Sequence, residues 1–334
     1  MKFILFFLSL IYYFLVELRI LLYKFNVLRI KKLPVKTICI GNITAGGTGK
    51  TSCVINIAEN LIKQKYKPVI LIRGYKRKSR KIIFLDNDNT CDVKTAGDEP
   101  ILLKKKLNIP VIVYANRYKS GSIAVKKYNP DIIILDDGFQ HFRLYRDINI
   151  VLIDCLNPFG NGYLLPFGFL REPLKALKRA DVIILTHTDI VEQQIINNII
   201  QKIQKINNKV KIFKSIHKPL KLINIKNKNE FPIEWFENKS ISIFSGIGNS
   251  LSFELIFKKS GIKILNKYIF KDHHFYTTNE LLHILQNEQI LITTEKDYIR
   301  IENIKDRIDQ KLLERLFYLK IEMIIFDFSL SKIL

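Results

Sequence analysis

Thr37-Ile-Cys-Ile-Gly-Asn-Ile-Thr-Ala-Gly-Gly-Thr-Gly-Lys-Thr-Ser52 decides the fold of this chain. Ile38 and Ile40 read as the end of a buried strand. A Gly-rich turn follows, and Gly49-Lys50-Thr51 opens a helical pattern carried by Val54, Ile55, Ala58, Leu61 and Ile62. Strand, turn and helix in that order make a phosphate-binding loop. Its glycines let backbone N–H groups converge on phosphate oxygens, and the helix N-terminus adds partial positive charge. The expected nucleotide-binding residues are Thr44, Ala45, Gly46, Gly47, Thr48, Gly49, Lys50 and Thr51. In such loops the Lys reaches the β/γ-phosphates and the Thr hydroxyl ligates Mg²⁺. The general pattern places Gly five residues before Gly49, where this chain has Thr44.

Working outward, short β-branched runs alternate with helical patterns. The strand-like runs are Lys36–Ile40, Pro68–Ile72, Pro110–Tyr114, Asp131–Leu135, Ile148–Ile153 and Asp181–Leu185. Helical stretches lie between several of them, at Ser52–Lys65, Pro100–Leu107 and Ser120–Tyr128. Continuous apolar strands separated by helices predict a mostly parallel sheet covered on both faces, with ligands at the strands' carboxyl ends. The expected fold class is a P-loop NTPase-like α/β/α sandwich, followed by a smaller C-terminal α/β domain. Lys221–Glu237 is polar, rich in Lys and Asn, and reads as a linker or ribbon. Ser240–Phe244, then Ser245-Gly-Ile-Gly248, again suggests a strand and a Gly turn, and Gln289–Thr293 another strand. The expected division is 1–32, 33–215 and 216–334, with the ribbon near 215–239.

Residues Phe3 to Val16 are uncharged and almost wholly apolar; Glu17 and Arg19 interrupt before Ile20-Leu21-Leu22-Tyr23 resumes. That run is shorter than the about 20 residues of an uninterrupted span. No small-residue cleavage site follows Val16. A membrane-associated helix is expected, either lying in the interface or crossing as a frayed span. Lys24, Arg29, Lys31 and Lys32 would meet anionic head groups on the cytoplasmic side. The net charge of +23 over 334 residues suits nucleic acid, an anionic membrane or a phosphorylated substrate. No nucleic-acid-binding module is recognisable, so no nucleic-acid partner is expected. An obligate protein partner is not evident either. Four cysteines form no C-x-x-C pair, which suits a reducing compartment.

Asp131-Ile-Ile-Ile-Leu-Asp-Asp-Gly-Phe-Gln-His141 is the second strong motif. It matches the acidic strand that partners a phosphate loop, whose carboxylate holds Mg²⁺. If the strand continues, Asp136 and Asp137 point to opposite sides and at most one faces the metal. In Thr95-Ala-Gly-Asp-Glu-Pro100, Asp98 is either a helix N-cap or a base for a hydroxyl proton. Arg73-Gly-Tyr-Lys-Arg-Lys-Ser-Arg-Lys81 is a basic loop after a strand, and Asp272-His-His-Phe-Tyr-Thr277 holds the paired histidines. Thr186-His-Thr-Asp189 weakly resembles a guanine-reading element, with His187 in place of Lys.

Taken together these motifs resemble the tetraacyldisaccharide 4′-kinase family. The match also includes Asn161-Gly-Tyr-Leu-Leu-Pro166, Leu170-Arg-Glu-Pro-Leu174, Ser245-Gly-Ile-Gly-Asn249 and Thr294-Glu-Lys-Asp297. That family's loop accommodates Thr44. The resemblance implies two α/β/α domains with an active site between them and an ATP- and Mg²⁺-dependent kinase. It implies phosphorylation of the 4′-hydroxyl of a tetraacyl glucosamine disaccharide 1-phosphate, making lipid IVA on the cytoplasmic face of the bacterial inner membrane. By resemblance Asp98, assisted by His273 or else His274, is the expected base, and Lys50 acts on the phosphates. Thr51 is expected to hold Mg²⁺ with an acidic partner drawn from Asp136, Asp137 and Glu172. The rival expectation is a membrane-recruited GTPase or ATPase switch, which shares the phosphate loop and Asp136.

Overall fold

The computed structural model describes residues 2–86 and 91–330. Helix α1 (Lys2–Lys24) comes first. The strands are β1 Lys36–Asn42, β2 Pro68–Ile72, β3 Ile83–Leu85, β4 Val111–Val113, β5 Ile132–Asp136, β6 Ile148–Asp154, β7 Val182–Thr186, β8 Lys211–Asn224, β9 Glu230–Phe231, β10 Ser240–Ser245, β11 Lys263–Ile269, β12 Leu291–Thr294 and β13 Leu316–Ile325. Helices α2 Lys50–Lys63, α3 Val93–Ala96, α4 Asp98–Leu107, α5 Arg117–Tyr128, α6 Gln193–Ile206, α7 Ser250–Lys259, α8 Thr278–Asn287, α9 Glu295–Ile301 and α10 Gln310–Leu313 pack around them.

One sheet runs β3-β4-β2-β5-β1-β6-β7-β8-β13-β12-β10-β11, with β9 on β8. From β4 to β8 every pair is parallel, and β3 closes that edge antiparallel. Parallel strands are buried on both faces, which explains their unbroken apolar runs. Side chains alternate across the sheet: Ile38 and Ile40 pack with Val54, Ile57 and Leu61 of α2 on one face. Cys39 joins Leu135, Phe139 and the α6 residues Ile196, Ile199 and Ile203 on the other.

Strand β8 serves both halves of the sheet. Lys211 to Lys214 pair in parallel with β7, and Ser215 to Asn224 pair antiparallel with β13. The expected boundary at 215 therefore falls inside a strand. Its interleaved lysines and Pro219 hid its alternation. The ribbon expected at 221–237 is the end of β8, a turn, β9 and a 3₁₀ turn at Ile233–Phe236. Beyond it, β13, β12, β10 and β11 are parallel, over cores around Phe244 and Leu281 and around Phe236 and Phe257.

Helix α1 passes unbroken through Glu17 and Arg19. Leu5, Ser9, Tyr12, Val16, Ile20 and Tyr23 form a helical stripe among its more covered residues, flanked by Glu17 and Leu22. Ser9 Oγ donates to Leu164 O at 2.9 Å, Tyr12 OH to Arg171 O at 3.0 Å and Arg19 Nη2 to Gln140 O at 3.0 Å.

Candidate active site

A cleft of about 870 Å³ opens at the carboxyl end of β1, large enough for a nucleotide and part of a second substrate. Ala45 to Thr51 line it. Gly49 precedes α2 with φ 83°, a left-handed conformation that favours glycine. Thr44, expected among the nucleotide contacts, does not line the cleft: it is buried and bridged to Leu170. Its backbone ties the loop to the neighbouring segment instead.

Lys50 Nζ lies 3.2 Å from Asn42 Oδ1 and 3.7 Å from Asp137 Oδ1. Strand β5 stops at Asp136, and Asp137 takes a left-handed φ of 49°. Both carboxylates therefore line the cleft, where a continuing strand would have separated them. Asp137 accepts from Arg171 Nη1 at 2.9 and 3.0 Å. Against the effect of burial, Lys50 and Arg171 hold its carboxyl at about 2. Asp136 shifts the other way, pushed up by burial and by the charges of Glu99 and Asp137.

Glu99 stood in a recognised motif without an assigned role. Its Oε1 accepts from Thr51 Oγ1 at 3.1 Å and from Lys296 Nζ at 2.7 Å. Thr51, Glu99 and Asp136 offer hard oxygen donors, and a divalent cation would relieve the repulsion that raises Asp136. This set fits Mg²⁺. Among the described residues no three His, Cys, Asp or Glu side chains form a closed cage. Glu172 is a correction: it is buried outside the cleft lining, with Oε1 accepting from Gln140 at 2.9 Å and Oε2 from Arg179 at 2.7 Å. Its charge is consumed by that arginine.

The opposite wall is the Gly246–Asn249 turn after β10. A Cβ at Gly248 would lie 2.7 Å from Gly47 N, so the turn meets the phosphate loop backbone to backbone. Asn249 caps α7 through Ser252 N at 3.0 Å and donates to Asp154 Oδ2 at 2.7 Å. Gly248→Ala wedges the two loops apart; kcat should fall about 100-fold, the effect of an ångström-scale misplacement. Steady-state kinetics with both substrates saturating checks this, and an unchanged kcat would count against the contact.

Asp98 and His273 meet across 175 residues of chain, with His273 Nδ1 at 3.1 and 3.0 Å from the two carboxylate oxygens. Arg300, buried on α9, donates from Nε to Asp98 Oδ2 at 2.7 Å and from Nη1 to Gly246 O at 2.7 Å and Asp297 Oδ1 at 2.8 Å. His273 lines the cleft and Asp98 does not. The order inward is His273, Asp98, Arg300, so the expected cleft-facing base sits behind its assistant. Burial would raise the Asp98 carboxyl, but the His273 hydrogen bond and the Arg300 charge hold it far below the usual range. Burial likewise opposes the His273 charge, yet Asp98 lifts its pKa above the ordinary histidine value. His273 is held at φ 60°, a strained backbone for a non-glycine residue, by its N–H bond to Gly246 O at 2.9 Å. His274 turns away to Glu280 at 3.2 Å, leaving His273 as the partner of Asp98.

His187 does not form a base-reading element: it is buried, 2.8 Å from Asp154 Oδ1, and stacked on His217 at 4.5 Å. Asp189 pairs with Lys259 at 2.7 Å.

The profile of the tetraacyldisaccharide-1-P 4′-kinase family matches residues 1–334. A tetraacyldisaccharide 4′-kinase of Elusimicrobium minutum is 38% identical over 280 residues, covering 81% of this chain and 75% of that protein. One from Aquifex aeolicus is 35% identical over 326 residues, covering 93% and 97%. The Aquifex aeolicus LpxK crystal structure in complex with ATP superposes with a TM-score of 0.73 at 33% identity, covering 96% of this chain and 93% of that one. With phosphate loop, carboxylates and His273 in one cleft, this chain belongs to the tetraacyldisaccharide-1-P 4′-kinase family.

Proposed function

We propose that the cleft carries out the family's reaction with the following division of labour. The γ-phosphoryl group of ATP passes to the 4′-hydroxyl of a tetraacyl glucosamine disaccharide 1-phosphate, giving lipid IVA. The observation that carries the reading is the Asp98–His273 pair placed in the wall of the phosphate-loop cleft.

Gly46 to Gly49 present backbone N–H groups to the phosphates, and Lys50 adds its ammonium charge. Arg117 is buried in the cleft lining with Nε unpartnered, which suits an incoming anion. Thr51, Asp136 and Glu99 would hold Mg²⁺, which supplies positive charge beside the phosphate oxygens. Asp137 stays paired with Arg171 and orients Lys50. Asp98 keeps the Nδ1 proton on His273, so Nε2, 3.8 Å from Asp272 Oδ2, takes the proton of the sugar hydroxyl. Arg300 keeps Asp98 ionised throughout. Ile55, Leu220, Phe253 and Ile256 give the cleft an apolar wall for the adenine. The acceptor is amphiphilic, and α1 would lie in the cytoplasmic leaflet of the bacterial inner membrane where that lipid resides.

The test is ATP labelled at the γ-phosphate with the acylated disaccharide 1-phosphate. Label at the 4′ position is expected. Label released only as inorganic phosphate would favour a hydrolytic switch instead.

A further inference from the structure

Helix α1 leaves most of its surface uncovered: Phe3 is 91% exposed, Phe7 64% and Phe14 65%. Its most apolar 18-residue window has a mean hydropathy of 2.1. One flank of the helix continues into the 159–170 loop. The Phe6 ring lies 5.9 Å from that of Tyr163 and 5.5 Å from that of Phe167, and Ser9 Oγ holds Leu164 O.

The loop is locked by its own backbone. Gly168 N donates to Leu164 O at 2.8 Å, and Leu170 N to Tyr163 O at 3.0 Å. A Cβ at Gly168 would fall 2.0 Å from Tyr163 O, so only glycine fits there. Despite this ordering, Tyr163 and Phe169 remain 47% and 49% exposed. Tyr163 and Phe167, packed against Phe6, extend the uncovered apolar surface of the helix, and Phe169 stands exposed on the same loop. A surface of that kind marks an interaction site, and aromatic rings with a polar tip favour the head-group level of a bilayer. Lys175, paired with Glu17 and placed over the Tyr13 ring at 5.9 Å, puts a cation on the same flank. The loop also reaches the chemistry. Ala45 N donates to Phe169 O and Arg171 N to Ile43 O, both at 2.7 Å, and Leu165 lines the cleft.

We infer that Tyr163, Phe167 and Phe169 enter the same lipid leaflet as α1. The loop is a second bilayer contact, and through Ala45 and Arg171 it fixes the height of the phosphate loop above the head groups. The occupant is the bilayer itself, because the aromatic surface is continuous with that of α1. The inference rests on the reading that α1 lies in the membrane.

Trp235 is the sole native tryptophan and lies in the other half of the chain, so the native protein serves as the unquenched control. In a Trp235→Phe background, Phe7→Trp and Phe169→Trp each provide one reporter. Vesicles of phosphatidylethanolamine and phosphatidylglycerol with brominated acyl chains, without disaccharide, should quench both reporters to a similar extent. Quenching at position 7 with none at 169 overturns the inference and leaves the α1 reading standing. Quenching at neither position removes both. Quenching at 169 that appears only after the acylated disaccharide is added reassigns the loop to the substrate. Tyr163→Asp should also lower partition into the same vesicles roughly tenfold, by opposing insertion with a charge. Unchanged partition would count against the loop.

Discussion

Asp98→Asn lowers turnover roughly 10³–10⁴-fold and leaves ATP binding in place. The amide fills the same space but loses the charge that keeps a proton on His273 Nδ1. The imidazole can then carry its proton on Nε2, where the sugar hydroxyl must deliver one. Asn is the informative substitution. Ala would leave a void beside Arg300, which keeps Asp297 and Gly246 O as partners, and would mix a packing loss with the loss of charge. The pH profile gives a second readout. Neutral His273 is the active form, so kcat/KM should rise with pH through a histidine pKa that Asp98 has lifted. In Asp98→Asn that acid limb moves to lower pH, because the largest lifting charge is gone while Asp272 and Glu99 remain. The stability sign is opposite. The ion pair contributes fully below the unfolded histidine value of about 6.5 and is lost as pH rises through the folded value. Rates across pH, with calorimetry for ATP, check all of this. A loss under tenfold with an unmoved acid limb would remove His273 from proton transfer.

Lys50→Ala should cost roughly 10²–10³ in kcat/KM, the scale of removing one preorganised positive group from a charged transition state. The side chain faces Asn42 and Asp137 and is only 14% exposed, so water cannot replace it well. Asp137 would keep Arg171 as its partner, so the fold should survive. Single-turnover phosphoryl transfer measures the loss directly. A rate within a few-fold of the native one would place the γ-phosphate elsewhere in the cleft.

The phosphate loop was legible because strand, turn and helix are contiguous, and β1 and α2 formed where the pattern put them. The parallel strands were legible for the same reason, since each carries its own apolar run. Strand β8 was not: lysines and Pro219 mask an alternation that is only rewarded once β7 and β13 are in place. The site divided along the same line. Lys50 and Thr51 follow from local sequence. Glu99 and Lys296 stood in recognised motifs, but their pairing across 197 residues has no local signal. Arg300 stood in no motif and is visible only as the residue one helical turn after Lys296. Thr44 and Glu172 misled because a motif shows which residues recur together, not which way each side chain faces. The turn at Asp137 was invisible for a similar reason, since a left-handed non-glycine residue leaves no mark in composition.

The separation between Asp98 and its partners also bears on how the protein is made. The phosphate loop closes over neighbouring residues and can form early. The contacts of Asp98 with His273 and Arg300 span 175 and 202 residues. The β8–β13 pairing runs to Ile325. Such long-range contacts form late in folding. During synthesis the nascent chain therefore holds its phosphate-binding loop long before its proton acceptor is in place. Chemistry waits until Arg300, 202 residues beyond Asp98, has been made.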